Sequence, residues 1–136
     1  MDVKFDFEDA GTNFFGKVFR PIAQVSFHSP KLDIWTTTWM VVDTGADFSV
    51  LPKYISQDLG ISLEADCIVD STTGVGGEQT IYLVKERIEA KIGKITRKVP
   101  LAFFSSDEVP PLLGRLGFLE TFDTVFLKSH KVVFKV

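Results

Sequence analysis

The segment WMVVDTGADFSVLP, residues 39–52, places an aspartate at the end of an apolar run. Asp43 is followed directly by Thr44 and Gly45. As a triplet alone, these residues indicate a turn, because Asp and Gly are both common turn residues. A strand that ends in this turn, however, carries the carboxylate to the edge of the core, where it can act as an acid or a base. The segment is therefore a candidate catalytic turn.

Other kinds of site have less support. Asp43, Asp47 and Ser49 alternate as calcium ligands do, but Phe48 stands where a calcium loop needs glycine. Neither histidine has a cysteine or an acidic partner at zinc-ligand spacing. Cys67 lies in an apolar stretch that favours an inert buried thiol. The glycine-rich TGVGG segment lacks the Lys-Ser/Thr ending of a phosphate loop. We therefore expect no metal and no cofactor.

The composition predicts a single globular domain over residues 1–136. Apolar residues make up 45% of the chain, which includes 13 Phe, enough for a substantial core. The net charge of −3 and the scattered basic residues argue against a nucleic-acid partner. Without a signal-peptide pattern or a bilayer-spanning apolar run, no membrane association is expected. The single cysteine excludes an internal disulfide and favours a reducing, cytoplasmic location.

Short strands dominate the predicted secondary structure. Apolar and charged residues alternate over 3–8 and predict a half-buried strand. The AGTN segment at 10–13 predicts a turn, and the β-branched and aromatic residues of 34–42 predict another strand. The glycines within 71–80 lie between two apolar runs and predict a hairpin tip.

Two short helices complete the predicted elements. Pro52 is suited to the first helical position and Gly60 to the end of that helix. A second short helix is expected within 110–122, after a Gly-Arg turn. Short strands at close spacing with two brief helices predict an all-β domain, either β-barrel-like or a sandwich.

Three motifs resemble one protein family. VVDTGADFSVL at 41–51 resembles the active-site motif of the retropepsins, the retroviral-type aspartic proteases and their cellular and bacterial relatives. That pattern is two apolar residues, Asp-Thr/Ser-Gly-Ala, two variable residues and Ser/Thr-Val-Leu/Ile, and every position is matched. LLGR at 112–115 is similar to the second signature of the family, and TTGVGG at 72–77 resembles its glycine-rich flap. The tail from residue 117 resembles the ending of the non-viral members.

The resemblance implies one retropepsin-like domain over 1–136, with its active-site loop at 41–51, its flap at 70–80 and its second signature at 112–116. The implied fold is the small, closed, β-barrel-like fold of the acid proteases, with one lobe per chain.

The resemblance also implies roles for individual residues. The implied catalytic residues are Asp43, Thr44 and Gly45. The implied substrate-binding residues are Ala46, Asp47, Phe48, Val50, Thr72, Gly74, Val75 and Gly76. Structural support of the site is expected from Leu113, Gly114 and Arg115. The Arg115 side chain is expected to pair with Asp47 and so to hold the turn against the second signature.

Peptide hydrolysis by this chemistry needs two carboxylates, one to activate water and one to protonate the carbonyl oxygen. The chain has a single Asp-Thr-Gly turn. We therefore expect an aspartic endopeptidase that acts as a homodimer on peptides or proteins, with Asp43 of each copy at the two-fold axis. The alternative is a catalytically silent retropepsin-fold module for dimerisation or peptide binding. Leu116 is compatible with this silent module, because the family usually has Asn or Asp directly after Gly-Arg.

Overall fold

The computed structural model describes residues 2–74 and 77–136. Val75 and Gly76, two of the predicted substrate-binding residues, lie outside the described residues. Strands form most of the structure. They are β1 Val3–Asp6, β2 Glu8–Asn13, β3 Gly16–Arg20, β4 Ile22–His28, β5 Trp35–Val42, β6 Ser49–Leu51, β7 Cys67–Gly74, β8 Gly77–Val84, β9 Ile88–Ile92, β10 Ile95–Val99, β11 Leu101–Phe104, β12 Leu112–Leu113, β13 Asp123–Leu127 and β14 Lys131–Lys135.

Two short helices accompany these strands. Helix α1 spans Lys53–Asp58, and a 3-10 helix spans Leu119–Thr121. Both predicted helices are therefore present, although the second forms a single 3-10 turn. Pro52 caps α1 from an extended conformation and does not occupy its first turn. Gly60 has a φ of 63°, and this left-handed conformation ends the helix as predicted. None of the helices in the described residues is long and apolar enough to cross a membrane.

The strands form three sheets. The largest has the order β10-β9-β4-β5-β12-β6-β11-β8-β7, the second has the order β1-β14-β13, and β2 pairs with β3 alone. Most pairings are antiparallel, but β12 runs parallel to β5, with Leu112 beside Val41 and Leu113 beside Val42. This parallel pairing brings the second signature alongside the strand that leads into Asp43.

The turn expected at 10–13 lies further along the chain. Residues 10–13 belong to β2, and Phe14 and Phe15 form the connection to β3. The Asn13 side-chain oxygen accepts a hydrogen bond from the Phe15 amide at 2.8 Å, which stabilises the turn at this later position. A register shift between Asp9 and Thr12 absorbs the intervening residues as a bulge.

The core follows the alternation of the strands. In β4, Ala23, Val25 and Phe27 are fully buried, whereas Gln24 between them is exposed. These residues belong to a main core that also receives the second sheet through the buried Phe134. A smaller cluster is separate from this core and consists of Val50, Ile81, Ala102 and Phe104.

Phe134 attaches the three-stranded sheet to the main core. Its ring lies edge-on to two others, with centroids 6.2 Å from Phe5 and 5.8 Å from Phe122. Phe5 lies in β1, and Phe122 comes directly before β13. The Phe134 side chain therefore packs the N-terminal strand against the C-terminal part of the chain.

We expect Phe134→Ala to lower the free energy of unfolding by about 3–5 kcal/mol, because it leaves a cavity among packed rings. Phe14 is 97% exposed, so the control Phe14→Ala is expected to change the free energy of unfolding by less than about 0.5 kcal/mol. Urea denaturation followed by circular dichroism measures both values. Similar losses for the two variants would contradict the packing described.

Candidate active site

Asp43 follows the last residue of β5, and the neighbouring segment fixes its backbone. The Asp43 amide donates to the Leu113 carbonyl at 3.0 Å, and the Val41 amide donates to the Pro111 carbonyl at 2.9 Å. The end of β5 is therefore held by the residues of the second signature and not only by its antiparallel neighbour β4.

The turn after Asp43 is closed by two hydrogen bonds. The Gly45 amide donates to Asp43 Oδ1 at 2.9 Å, and the Ala46 amide donates to the Asp43 carbonyl at 3.1 Å. A Cβ on Gly45 would lie 3.2 Å from the same Oδ1, so glycine leaves space around the carboxylate. Asp43 Oδ2 has no protein hydrogen-bond partner within the described residues. The carboxylate is thus oriented through one oxygen, while the other is available for chemistry.

Arg115 joins the turn to the second signature. Its guanidinium donates to the Thr44 carbonyl at 2.5 Å and to Asp47 Oδ1 at 2.8 Å. Its backbone amide donates to the Ala46 carbonyl at 3.0 Å. The side chains of Arg115 and Asp47 are 44% and 82% exposed, so this ion pair contributes about 1 kcal/mol or less to stability. Its role is to fix the geometry of the turn.

Gly114 lies in contact with the chain at Phe48. A Cβ at position 114 would be 2.3 Å from both the carbonyl carbon and the carbonyl oxygen of Phe48, a distance that the backbone cannot accommodate. The Gly114 amide donates to the buried Ser49 hydroxyl at 3.0 Å. Leu113 beside it is fully buried. The two motifs therefore pack directly against each other.

A cleft of about 330 Å³ opens in front of Asp43. Its lining from the turn consists of Asp43, Gly45, Ala46 and Asp47. Its apolar lining consists of Phe48, Val50, Ile81, Phe104, Val109 and Leu112. Its lining from the outer part of the β7–β8 hairpin consists of Thr72, Thr73, Gly74, Gly77 and Gln79. The cleft therefore combines one acidic turn with an apolar wall and with hairpin residues that carry no charge.

Most of the predicted substrate-binding residues line this cleft together with Asp43 and Gly45. They are Ala46, Asp47, Phe48, Val50, Thr72 and Gly74. Of the remaining predicted residues inside the described ranges, Thr44 lies within the turn itself. Leu113, Gly114 and Arg115 lie behind or beside the turn.

The sequence did not identify several residues of the cleft. Gln79 and Ile81 could have been found, because Gln79 lies directly across the hairpin from Thr72 and Ile81 is two residues further along β8. Phe104 and Val109 carry no comparable local signal. Phe104 reaches the cleft through the tertiary pairing of β11 with β6 and β8. Val109 lies in the connection between β11 and β12 and packs against the smaller cluster.

A second hollow, of about 190 Å³, lies on the other side of the turn. It is lined by Thr44, Arg115, Leu119, Glu120, Phe122 and Thr124. The Thr124 hydroxyl is buried and has no hydrogen-bond partner within the described residues. The hollow therefore brings a buried hydroxyl of β13 beside Thr44 of the turn.

Other chemistry has little structural basis in the part of the chain that the structure describes. No group of three or more His, Cys, Asp or Glu side chains is arranged there to hold a metal ion. Cys67 is buried, and burial raises the pKa of its thiol and so keeps it protonated near neutral pH.

Comparisons with known proteins extend these observations. A family model described as aspartyl protease matches residues 32–116, which contain all three motifs. A search of the curated proteins finds no match. Among solved structures, this chain is similar to a retropepsin-like aspartic protease from Rickettsia conorii, with a TM-score of 0.63, 18% identity and 98% of each chain covered. At this identity the likeness shows the fold, so the predicted all-β acid-protease lobe is confirmed.

Gly114→Ala is expected to lower the free energy of unfolding by about 1–3 kcal/mol, because the added methyl group must displace the Phe48 backbone. Gly74→Ala is the matched control, since a Cβ there meets nothing within 4 Å. Urea denaturation of the two variants and the wild type gives the comparison. A Gly114→Ala variant as stable as Gly74→Ala would show that the two motifs pack less closely than described.

Proposed function

Because the chain belongs to the aspartyl protease family, we propose that it is an aspartic endopeptidase that acts as a homodimer. The family and the fold support a protease-type function. The observation that carries the proposal is the oriented Asp43 carboxylate, which faces a cleft with an apolar wall and a hairpin above it. Such a cleft suits an extended peptide.

A second carboxylate is needed, and the chain does not offer a suitable one. Asp47 also lines the cleft, but its Oδ1 accepts a hydrogen bond from Arg115 at 2.8 Å and serves to hold the turn. No other aspartate in the sequence is followed by Thr-Gly or Ser-Gly. We infer that the missing carboxylate is Asp43 of a second copy, related to the first by a two-fold axis.

The proposed reaction uses the two Asp43 side chains in different protonation states, because two adjacent carboxylates share one proton. The ionised side chain takes a proton from a water molecule, whose oxygen attacks the peptide carbonyl carbon. The protonated side chain gives its proton to the carbonyl oxygen. In the second step the Asp43 that now carries a proton gives it to the nitrogen, and the other Asp43 takes the proton of one hydroxyl of the tetrahedral intermediate. The C–N bond then breaks, which releases an amine and a carboxyl group and leaves one proton on the pair.

The remaining site residues position the carboxylate and the substrate. Thr44 and Gly45 shape the catalytic turn, and Arg115 holds it through the Thr44 carbonyl and Asp47. Leu113 and Gly114 support it from behind. Substrate contacts are assigned to Ala46, Asp47, Phe48, Val50, Thr72 and Gly74, together with Val75 and Gly76 of the proposed flap. The apolar wall favours substrates with apolar side chains near the scissile bond.

A catalytically silent dimerisation or peptide-binding module is the second candidate. Leu116 favours it, because this apolar side chain is 48% exposed beside Arg115, where the family usually has Asn or Asp. A module of this kind has no use for an oriented carboxylate, so the endopeptidase remains the function that the geometry supports best.

Asp43→Asn is expected to lower kcat by about 10²–10⁴-fold or more, because the amide can neither accept the proton of water nor share one with its symmetry mate. Digestion of a peptide library followed by mass spectrometry, at several pH values, measures the loss. Asp58→Asn, at the exposed end of α1, is the control and should retain full activity. Sedimentation should show that Asp43→Asn still dimerises. Undiminished cleavage by this variant would exclude Asp43 as the catalytic carboxylate.

Dilution provides an independent test of the shared site. Since each half of the site is inactive alone, specific activity should fall as the concentration drops below the dimer dissociation constant. Activity and sedimentation are measured over the same concentration series. Specific activity that stays constant in samples shown to be monomeric would contradict a site made of two copies.

A further inference from the structure

The loop between β11 and β12, residues 105–111, carries one side chain of the apolar cleft wall. Val109 lines the cleft in front of Asp43 and packs against the smaller cluster. Most of the other wall residues belong to strands, whose pairing holds them in place: Val50, Ile81, Phe104 and Leu112. Residues 105–111 belong to no strand or helix, so the position of Val109 depends on other contacts of its loop.

Two hydrogen bonds join this loop to the start of α1. The Tyr54 amide donates to Asp107 Oδ1 at 2.8 Å, and the Lys53 amide donates to the Ser106 carbonyl at 3.2 Å. Lys53 and Tyr54 are the first two residues of α1, and the amides of a first turn have no partner within their own helix. The loop therefore supplies the acceptors that the helix lacks.

The sequence at the start of α1 explains why a distant aspartate is needed. Pro52 precedes the helix, and its side chain has no oxygen that could accept a backbone amide. Asp107 supplies that oxygen from 53 positions further along the chain. Helix α1 is itself fixed in the main core through Ile55, which is 2% exposed. The Asp107 side chain thus ties an irregular loop to an element that is held firmly.

Val109 lies midway between the two places where the rest of the protein holds its loop. On one side is the Asp107 side chain, and on the other the Pro111 carbonyl accepts the Val41 amide at 2.9 Å. The Ser106 hydroxyl accepts only the Glu108 amide, within the loop itself. Because the bonds at Pro111 and Ser106 use backbone carbonyls, the Asp107 carboxylate is the anchor that a substitution can remove.

We propose that Asp107 is a positioning residue, which fixes Val109 against the cleft and so sets how tightly the site holds an apolar side chain of the substrate. This role rests on the proposed function. Asp107 does not line the cleft and acts only through the loop. Val109 offers the same apolar contact to the bound substrate and to the transition state, so loss of the anchor is expected to raise KM and to leave kcat unchanged.

Asp107→Ala tests the anchor directly. With a peptide that has apolar side chains beside the scissile bond, it should raise KM about 5-fold and change kcat less than about 2-fold. Asp107→Asn keeps an acceptor oxygen and should restore the KM of the wild type. Glu108→Ala is the matched control, because it removes the neighbouring carboxylate, whose side chain makes no hydrogen bond within the described residues. Equal KM values for Asp107→Ala and either of the other two variants would overturn the proposal.

A double variant shows whether Asp107 acts through Val109. Val109→Ala alone should raise KM, because it removes the contact with the substrate. Adding Asp107→Ala to it should raise KM by less than about a further 2-fold, since the anchor then has no large side chain left to position. Effects of the two substitutions that multiply in full would show that Asp107 acts elsewhere and would overturn the proposal.

Hydrogen exchange measured by NMR separates this role from the proposed function. The Tyr54 amide should exchange about 5-fold faster in Asp107→Ala than in the wild type or in Asp107→Asn, while the amides of β5 keep their rates. Unaltered exchange at Tyr54 in a protein that cleaves peptides would overturn the anchor and leave the proposed function standing. A wild type that cleaves no peptide would instead remove the proposed function, and the substrate role of Asp107 with it.

Discussion

Gly114 touches the Phe48 carbonyl so closely that no side chain fits between them, since a Cβ would lie 2.3 Å from it. This crossing is the constraint on which the site depends. It sets the second signature under the Asp43 turn, where the Leu113 carbonyl accepts the Asp43 amide at 3.0 Å. Arg115 follows directly and reaches the Thr44 carbonyl and Asp47 from the other side. One close backbone contact thus positions both the buried Leu113 and the exposed Arg115 side chain, which hold the Asp43 turn from two sides.

A carboxylate held in this way is ready for chemistry but is incomplete alone. The turn leaves Asp43 half-buried at the mouth of the cleft, where a second group can reach its carboxylate. In the proposed homodimer, the missing group comes from a symmetric second copy and needs no second motif in the sequence.

The sequence predicted features with local causes and missed those that depend on distant contacts. The Asp43 turn, the end of α1 at Gly60 and the β7–β8 hairpin follow from turn residues and strand alternation. The turn after β2 was expected three residues too early, at 10–13, because the Asn13 side chain stabilises a turn around Phe14 and Phe15 that composition alone does not favour. Phe104 could not be assigned to the cleft, since the pairing of β11 with two distant strands brings it there.

The small cluster under the cleft determines which part of the β7–β8 hairpin is fixed. Ile81 is 2% exposed and packs with Val50 and Phe104, so it anchors β8 to the strand that follows the Asp43 turn. Beyond it, Thr72 and Gln79 are exposed and paired only with each other across the hairpin. The anchored Ile81 and the exposed Thr72 and Gln79 all line the cleft in front of Asp43. In the proposed peptidase, a substrate that displaces the outer pairs of the hairpin leaves the apolar wall in place, because Ile81 anchors β8 below them.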